Sequence, residues 1–140
     1  MLRDAPDAFE TTYEREHARS PAEWRGRISA CAWFVAMEGE DPAGIAAGRR
    51  SPDGVAGRCQ LISMWVSPRQ RGRGLAAMLI ATVRDWAVAE GARELSLEVI
   101  AGNEPATKAY AREGFVATGR REPLRSTPTI LKEEWLLTLA

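Results

Sequence analysis

LISMWVSPRQRGRGLAAMLI, residues 61–80, is the stretch that decides the fold. Leu61–Val66 is an apolar, strand-like run. Ser67-Pro68 ends it, because proline brings no ladder donor. A short basic turn follows, Arg69 to Gly74. From Leu75 the spacing becomes helical, and Leu75, Met78, Leu79, Thr82, Val83 and Trp86 are predicted to share one face of a helix that runs to about Glu90. Gly91 stops it. The first turn of a helix has unpaired N–H groups and a positive dipole end. Gly72 and Gly74 lack a Cβ, so a ligand can come close to the backbone. Arg69, Arg71 and Arg73 add positive charge. This combination suits a phosphate or pyrophosphate; the alternative is a solvated turn with a basic cap.

Two common phosphate motifs do not fit. The P-loop needs a Lys-Ser or Lys-Thr after its last glycine, and the dinucleotide fingerprint needs a third glycine where Ala77 stands. What the turn holds is Arg71-x-x-Gly74-x-Ala76. A second segment, LSLEVIAGNEPATKAYAREGF at 95–115, narrows the choice. Leu95, Leu97 and Val99 alternate with Ser96, Glu98 and Ile100 as a strand requires. Gly102-Asn103 breaks the strand, Pro105 suits the first turn of a helix, and Gly114 suits its stop, with Phe115 covering the end.

Together the two segments resemble the paired signatures of the GNAT superfamily of acyl-CoA-dependent N-acetyltransferases. The first is Arg71-x-x-Gly74-x-Ala76. The second is Asn103, Ala106, Tyr110, Gly114 and Phe115, all in register. They stand in the family's order, separated by one helix and one strand, and the resemblance covers roughly residues 30–140.

The chain has 140 residues, the size of one domain, and we treat 1–140 as a single unit. Hydrophobic content of 45% supports a substantial core. The formal net charge is zero, which argues against a general nucleic-acid or anionic-membrane binder. Arginine supplies 17 of the 19 basic residues, a composition pointing to a GC-rich bacterial source. Cys31 and Cys59 are isolated in apolar surroundings and read as buried free thiols of a cytoplasmic protein. Without a Cys/His cluster no metal site is expected. The first residues are too polar for a signal peptide, and no apolar span reaches membrane length.

The remaining elements follow from local pattern. Phe9 and Tyr13 stand at helical spacing. Ser20-Pro21 opens a short helix through Arg27. Cys31–Met37 and Ala43–Arg49 form a hairpin around Glu38–Asp41, and Ser51-Pro52-Asp53-Gly54 is a turn. Strands at 58–66 and 93–100, a helix at 104–113, and a final strand pair near 115–121 and 131–139 complete the set. The order predicts an α/β (α+β) fold, with a mixed sheet flanked by helices. The family resemblance adds that the sheet is mostly antiparallel, with two central parallel strands, 58–66 and 93–100, splayed apart.

The resemblance also implies a chemistry. Acetyl-CoA enters the splay as acyl donor. Its pantetheine arm pairs with backbone at Met64, Trp65 and Val66, where an N–H of Trp65 or Val66 stabilises the oxyanion. Its pyrophosphate sits on Arg71, Gly72, Arg73, Gly74, Leu75 and Ala76. Asn103 bonds the arm, or merely caps its helix, and Lys108 faces the 3′-phosphate. Tyr110 is the candidate general acid for the leaving thiolate; the bland alternative is packing. Glu98, beside the splay, is the candidate base, against an ordinary strand ion pair. His17, the only histidine, is read as solvated. Trp33 and Trp65 line the acceptor pocket or the core.

The expected activity is acetyl transfer to a primary amine by direct attack in a ternary complex. Acceptors in view are a small-molecule amine or a protein N-terminal or lysine amine. The alternative is a catalytically idle acyl-CoA sensor. No alternating apolar run precedes Cys31, so the family's first strand is missing here. This predicts either pairing of strand 31–37 with a second chain or a longer natural protein with an upstream start.

Overall fold

The computed structural model describes residues 13–139; Phe9 and the rest of 1–12 lie outside them. The helices are α1 (Tyr13–His17), α2 (Pro21–Ser29), α3 (Leu75–Ala89) and α4 (Glu104–Arg112). The strands are β1 (Ala32–Glu38), β2 (Asp41–Arg50), β3 (Arg58–Val66), β4 (Glu94–Ile100), β5 (Val116–Pro123) and β6 (Leu131–Thr138). They form one sheet in the order β1-β2-β3-β4-β6-β5, parallel only between β3 and β4 among hydrogen-bonded neighbours. The predicted mixed, mostly antiparallel sheet is therefore present.

β2 explains how α3 seats itself. Its residues Ala43, Gly44, Ala46, Ala47 and Gly48 are small and buried. A Cβ built on Gly48 would lie 2.4 Å from the Trp86 ring, and one on Gly44 2.9 Å from Leu79. The even-numbered positions of β2 thus face α3, and the helix lies close because nothing larger than Ala intervenes. Leu79, Ile80, Val83 and Ala87 are the buried face of α3. Met78, predicted to share this face, is 66% exposed instead, and Thr82 points outward with it. The seam is turned toward Ile80 and Ala87, so that the helix meets the two glycines.

Right-handed crossovers place α3 and α4 on the same side of the sheet. Accordingly, Tyr110 and Phe115 join Leu79, Ile80, Val83, Leu95, Leu97 and Val99 in one apolar cluster. Each such side chain removed from water contributes about 1.5–3 kcal/mol. The opposite face carries Val35, Ile45 and Trp65 in one cross-strand row, and Trp33, Ala47 and Ile62 in the next.

α2 starts with a capping box: Ser20 Oγ accepts from Glu23 N, and Glu23 accepts from Ser20 N at 2.7 Å. These bonds hold the Glu23 carboxyl below its ordinary range. Among the described residues, β1 pairs on one side only, with β2, and is the sheet's edge. Val35 and Met37 on it are 51% and 54% exposed. Cys59 is buried as expected, and desolvation raises its thiol pKa; Cys31 is only half-buried.

Candidate active site

β3 and β4 pair at three positions only, Arg58–Glu94, Cys59–Leu95 and Gln60–Ser96. Beyond Gln60 both strands continue, to Val66 and Ile100, without a ladder between them. The splay expected from the family resemblance is thus a feature of the fold. A bulge sets its shape. Ala47 pairs with Ile62 and Ile45 with Trp65, so β3 carries one extra residue against β2. Ser63 takes it up at φ 55, the only non-glycine with positive φ among the described residues.

The bulge decides which backbone groups face the gap. Ser67 N donates to Ala43 O on β2 at 2.7 Å. The Val66 carbonyl shares that peptide plane and points the other way, into the gap. In an extended strand the N–H of the same residue points with its carbonyl, so the Val66 N–H also faces the gap while that of Trp65 faces β2. Of the two candidate oxyanion donors, Val66 has the orientation.

The strand leads into the basic turn. A 3₁₀ turn at Pro68–Gln70 precedes Gly72 and Gly74, whose φ values are 77° and 81°. Both glycines are required by conformation, since L-residues pay about 1–2 kcal/mol in the left-handed region. Gly74 is the N-cap of α3 and offers no side-chain acceptor. The first-turn N–H groups therefore lack a side-chain cap. Arg69 and Arg73 make no ion pair among the described residues. Arg71 Nε donates to the Val66 carbonyl at 3.0 Å. Gln70 Nε2 donates to Glu38, tying the turn to the end of β1.

Tyr110 projects from α4 on the helix side. It is 9% exposed and meets the Phe115 ring edge-on, centroids 5.9 Å apart. Desolvation pushes its ionisation up to about 12. Among the described residues nothing hydrogen-bonds its hydroxyl. Asn103 caps α4, its side chain accepting from Ala106 N at 3.4 Å. Lys108 lies exposed, 3.9 Å from Glu104.

Glu98 points to the other face of the sheet, opposite Leu97. Lys132 Nζ on β6 lies 2.7 Å from its carboxylate. Arg120, Glu122 and Glu134 surround this pair. The turn, Val66 and Tyr110 belong to the splay's strands and the helix side; Glu98 reaches the splay only from the opposite face. The ion-pair alternative for Glu98 is the one formed here. Trp33 shares that face, and its indole N–H is buried without an acceptor among the described residues. His17 is exposed and stacks on Tyr13, centroids 5.3 Å apart. Beside it in α1, Glu16 is buried and paired with Arg19 at 2.7 Å, an ion pair that charge patterning alone did not single out.

A concavity of about 370 Å³ lies at the opposite end of β3, lined by Arg50, Val55, Arg58, Cys59 and Glu90 among others. Its charges are spent on one another: Arg50 pairs with Glu90, and Arg58 with Asp53 and Glu94. The splay lies toward the other end of β3, where the strand runs into the glycine turn that opens α3. No group of three or more His, Cys, Asp or Glu residues among the described residues could hold a metal ion. No helix among them is long and apolar enough to cross a membrane.

Comparison with known proteins agrees with the fold. The model of the acetyltransferase (GNAT) family matches residues 1–115. N-acetyltransferase 8F1 of Rattus norvegicus is 34% identical over 91 residues, which are 64% of this chain and 41% of that protein. The match thus spans about two fifths of its curated relative. A GNAT-family acetyltransferase from Desulfovibrio desulfuricans superposes with a TM-score of 0.71 at 25% identity, covering 84% of this chain and 74% of that one. An acetyltransferase of Salmonella typhimurium, solved with acetyl-CoA, shares the fold with a TM-score of 0.69 at 22% identity, covering 85% and 71%.

Proposed function

The chain belongs to the acetyltransferase (GNAT) family, and on that premise we propose that it transfers an acetyl group from acetyl-CoA to a primary amine by direct attack in a ternary complex. The observation that carries the reading is the splay, which opens beside a glycine turn at an uncapped helix start. A strand edge that ends its ladder early accepts an extended arm as an added strand. Backbone of Met64, Trp65 and Val66 lines that edge, with Val66 supplying both donor and acceptor. The 71–76 turn and the first N–H groups of α3 receive the pyrophosphate. Asn103 keeps its amide N–H donors for the arm while its oxygen caps α4. Lys108 is exposed enough to reach the 3′-phosphate.

The thioester supplies an activated acetyl group, and the chain's residues supply orientation and protons. Tyr110 stays protonated at working pH because burial disfavours its anion. The leaving thiolate takes its proton from the phenol, and the phenolate left behind is reprotonated from solvent. The amine approaches from the face opposite α3 and α4. A base role for Glu98 requires the acceptor ammonium to displace Lys132 from its carboxylate.

The ion pair at Glu98 favours one second reading, an acyl-CoA sensor without turnover, because it pairs the one carboxylate that the sequence offered as base. A thiol-release screen across small amines, amino acids, aminoglycosides and peptide N-termini decides between them. Release with at least one class supports transfer. Acetyl-CoA binding without release from any class supports the sensor, and absence of binding overturns both. The composition further supports a cytoplasmic, bacterial setting. The exposed apolar edge of β1 supports self-association through that strand, which light scattering would show as a dimer mass.

A further inference from the structure

Gln60–Ser96, the last rung between β3 and β4, marks the root of the splay. On its other side Gln60 pairs with Arg49 of β2. Arg49 Nε and Nη2 both donate to Gln60 Oε1, at 2.9 and 2.7 Å. Gln60 is buried, and Arg49 is half-buried beside it. A cation withdrawn from water needs its charge met. Arg19 and Arg58 meet Glu16 and Glu94. Arg49 meets a neutral carboxamide, and among the described residues no carboxylate pairs with it. Gln60 also takes only part of the guanidinium's donor set. Arg49 stands at an odd-numbered position of β2, on the face opposite α3, the face from which the acceptor approaches. Between it and the Ile45–Trp65 row next to Val66 lies the apolar row Trp33–Ala47–Ile62. Ile45 and Arg49 are four positions apart on β2, roughly 13 Å at about 3.3 Å per residue.

We propose, resting on the acetyltransferase reading, that Arg49 is a specificity-determining residue for the acceptor, which is an amine carrying a carboxylate at the far end of an apolar spacer. The amine lies at the splay beside Val66. The spacer crosses the Trp33–Ala47–Ile62 row. The carboxylate takes the guanidinium in a charge-assisted, bidentate pair, with Gln60 holding the fork in place. An α-amino acid, whose two charges are adjacent, is too short to span the rows.

The test compares ε-aminocaproate with ε-aminocaproamide as acceptors for the full chain, by thiol release at saturating acetyl-CoA. The two share one amine and one spacer, and the amine is too far from the changed group for its basicity to differ much. The wild type should favour the acid about 10- to 100-fold in kcat/KM, chiefly through KM, the worth of hydrogen bonds to a charged group. Arg49→Met should bring the acid down to the level of the amide, and Arg49→Lys should keep part of the preference. Equal use of acid and amide by the wild type overturns the subsite, whatever the variants do, and leaves the transferase reading standing. So does turnover confined to amines without a carboxylate. An Arg49→Met that lowers both acceptors alike overturns it too, since Arg49 would then be only a structural partner of Gln60. Absence of thiol release with every amine class defeats the transferase reading itself, and the subsite with it.

Discussion

Replacing Tyr110 by Phe separates packing from chemistry. The ring is 9% exposed and sits edge-on to Phe115, and phenylalanine keeps both contacts. What it removes is a hydroxyl with no partner among the described residues. That hydroxyl is not one of the buried unpaired atoms among the described residues, so its loss should change stability by less than about 1 kcal/mol. A general acid contributes about 10²–10⁴ in rate, or roughly 3–5 kcal/mol of barrier. Tyr110→Phe should therefore lower kcat at least about 100-fold while its stability stays within about 1 kcal/mol of the wild type. Thiol release at saturating acetyl-CoA and a denaturant melt read the two quantities on one preparation. The pH dependence of stability checks the environment. A pKa of about 12 lies above the ordinary 10, so the neutral phenol is the form the fold prefers. Stability from this group is complete below pH 10 and is lost as pH rises through about 12. Two units correspond to about 2.7 kcal/mol, and Tyr110→Phe should flatten that decline. Full turnover in the variant would remove Tyr110 from the chemistry. A fall in stability above about 2 kcal/mol would show that the hydroxyl is structural.

Gly48→Ala places a methyl 2.4 Å from the Trp86 ring and should cost about 1–3 kcal/mol in a urea melt; adding Trp86→Leu should recover part of that loss. Gly74→Asp puts a side chain at φ 81° and a negative charge beside the turn. Acetyl-CoA affinity should fall at least about tenfold while the fold survives, and unchanged affinity would refute the assignment of this turn. Glu98→Gln should lower kcat/KM about tenfold or more if the carboxylate is the base. A change confined to stability, below about 1 kcal/mol for this part-exposed pair, would assign Glu98 to Lys132 alone.

Much of the fold was legible because its punctuation is strong. Pro68, the paired glycines and Gly91 bound a strand, a turn and a helix with little room for alternatives. The rotation of α3 was not legible. Residues 75–80 are all apolar, so three-and-four spacing admits several faces, and the choice fell to Gly44 and Gly48 on a strand far back in the chain. Alternation put Glu98 on the correct face of β4 but could not supply its partner. Lys132 reaches it through the antiparallel register of β4 and β6, a long-range pairing with no local signal.

The sequence by itself determined the order of elements, the glycine turn and the set of candidate residues, because turn conformation, capping and periodicity act between near neighbours. Only the tertiary structure decided what those residues face. The extra residue at Ser63 turns Val66 toward the gap and Trp65 toward β2. The early end of the β3–β4 ladder makes the gap. The return of the turn onto β3 brings Arg71 to the Val66 carbonyl. Each depends on how one strand registers against another, and register is set by burial of whole faces rather than by any residue alone.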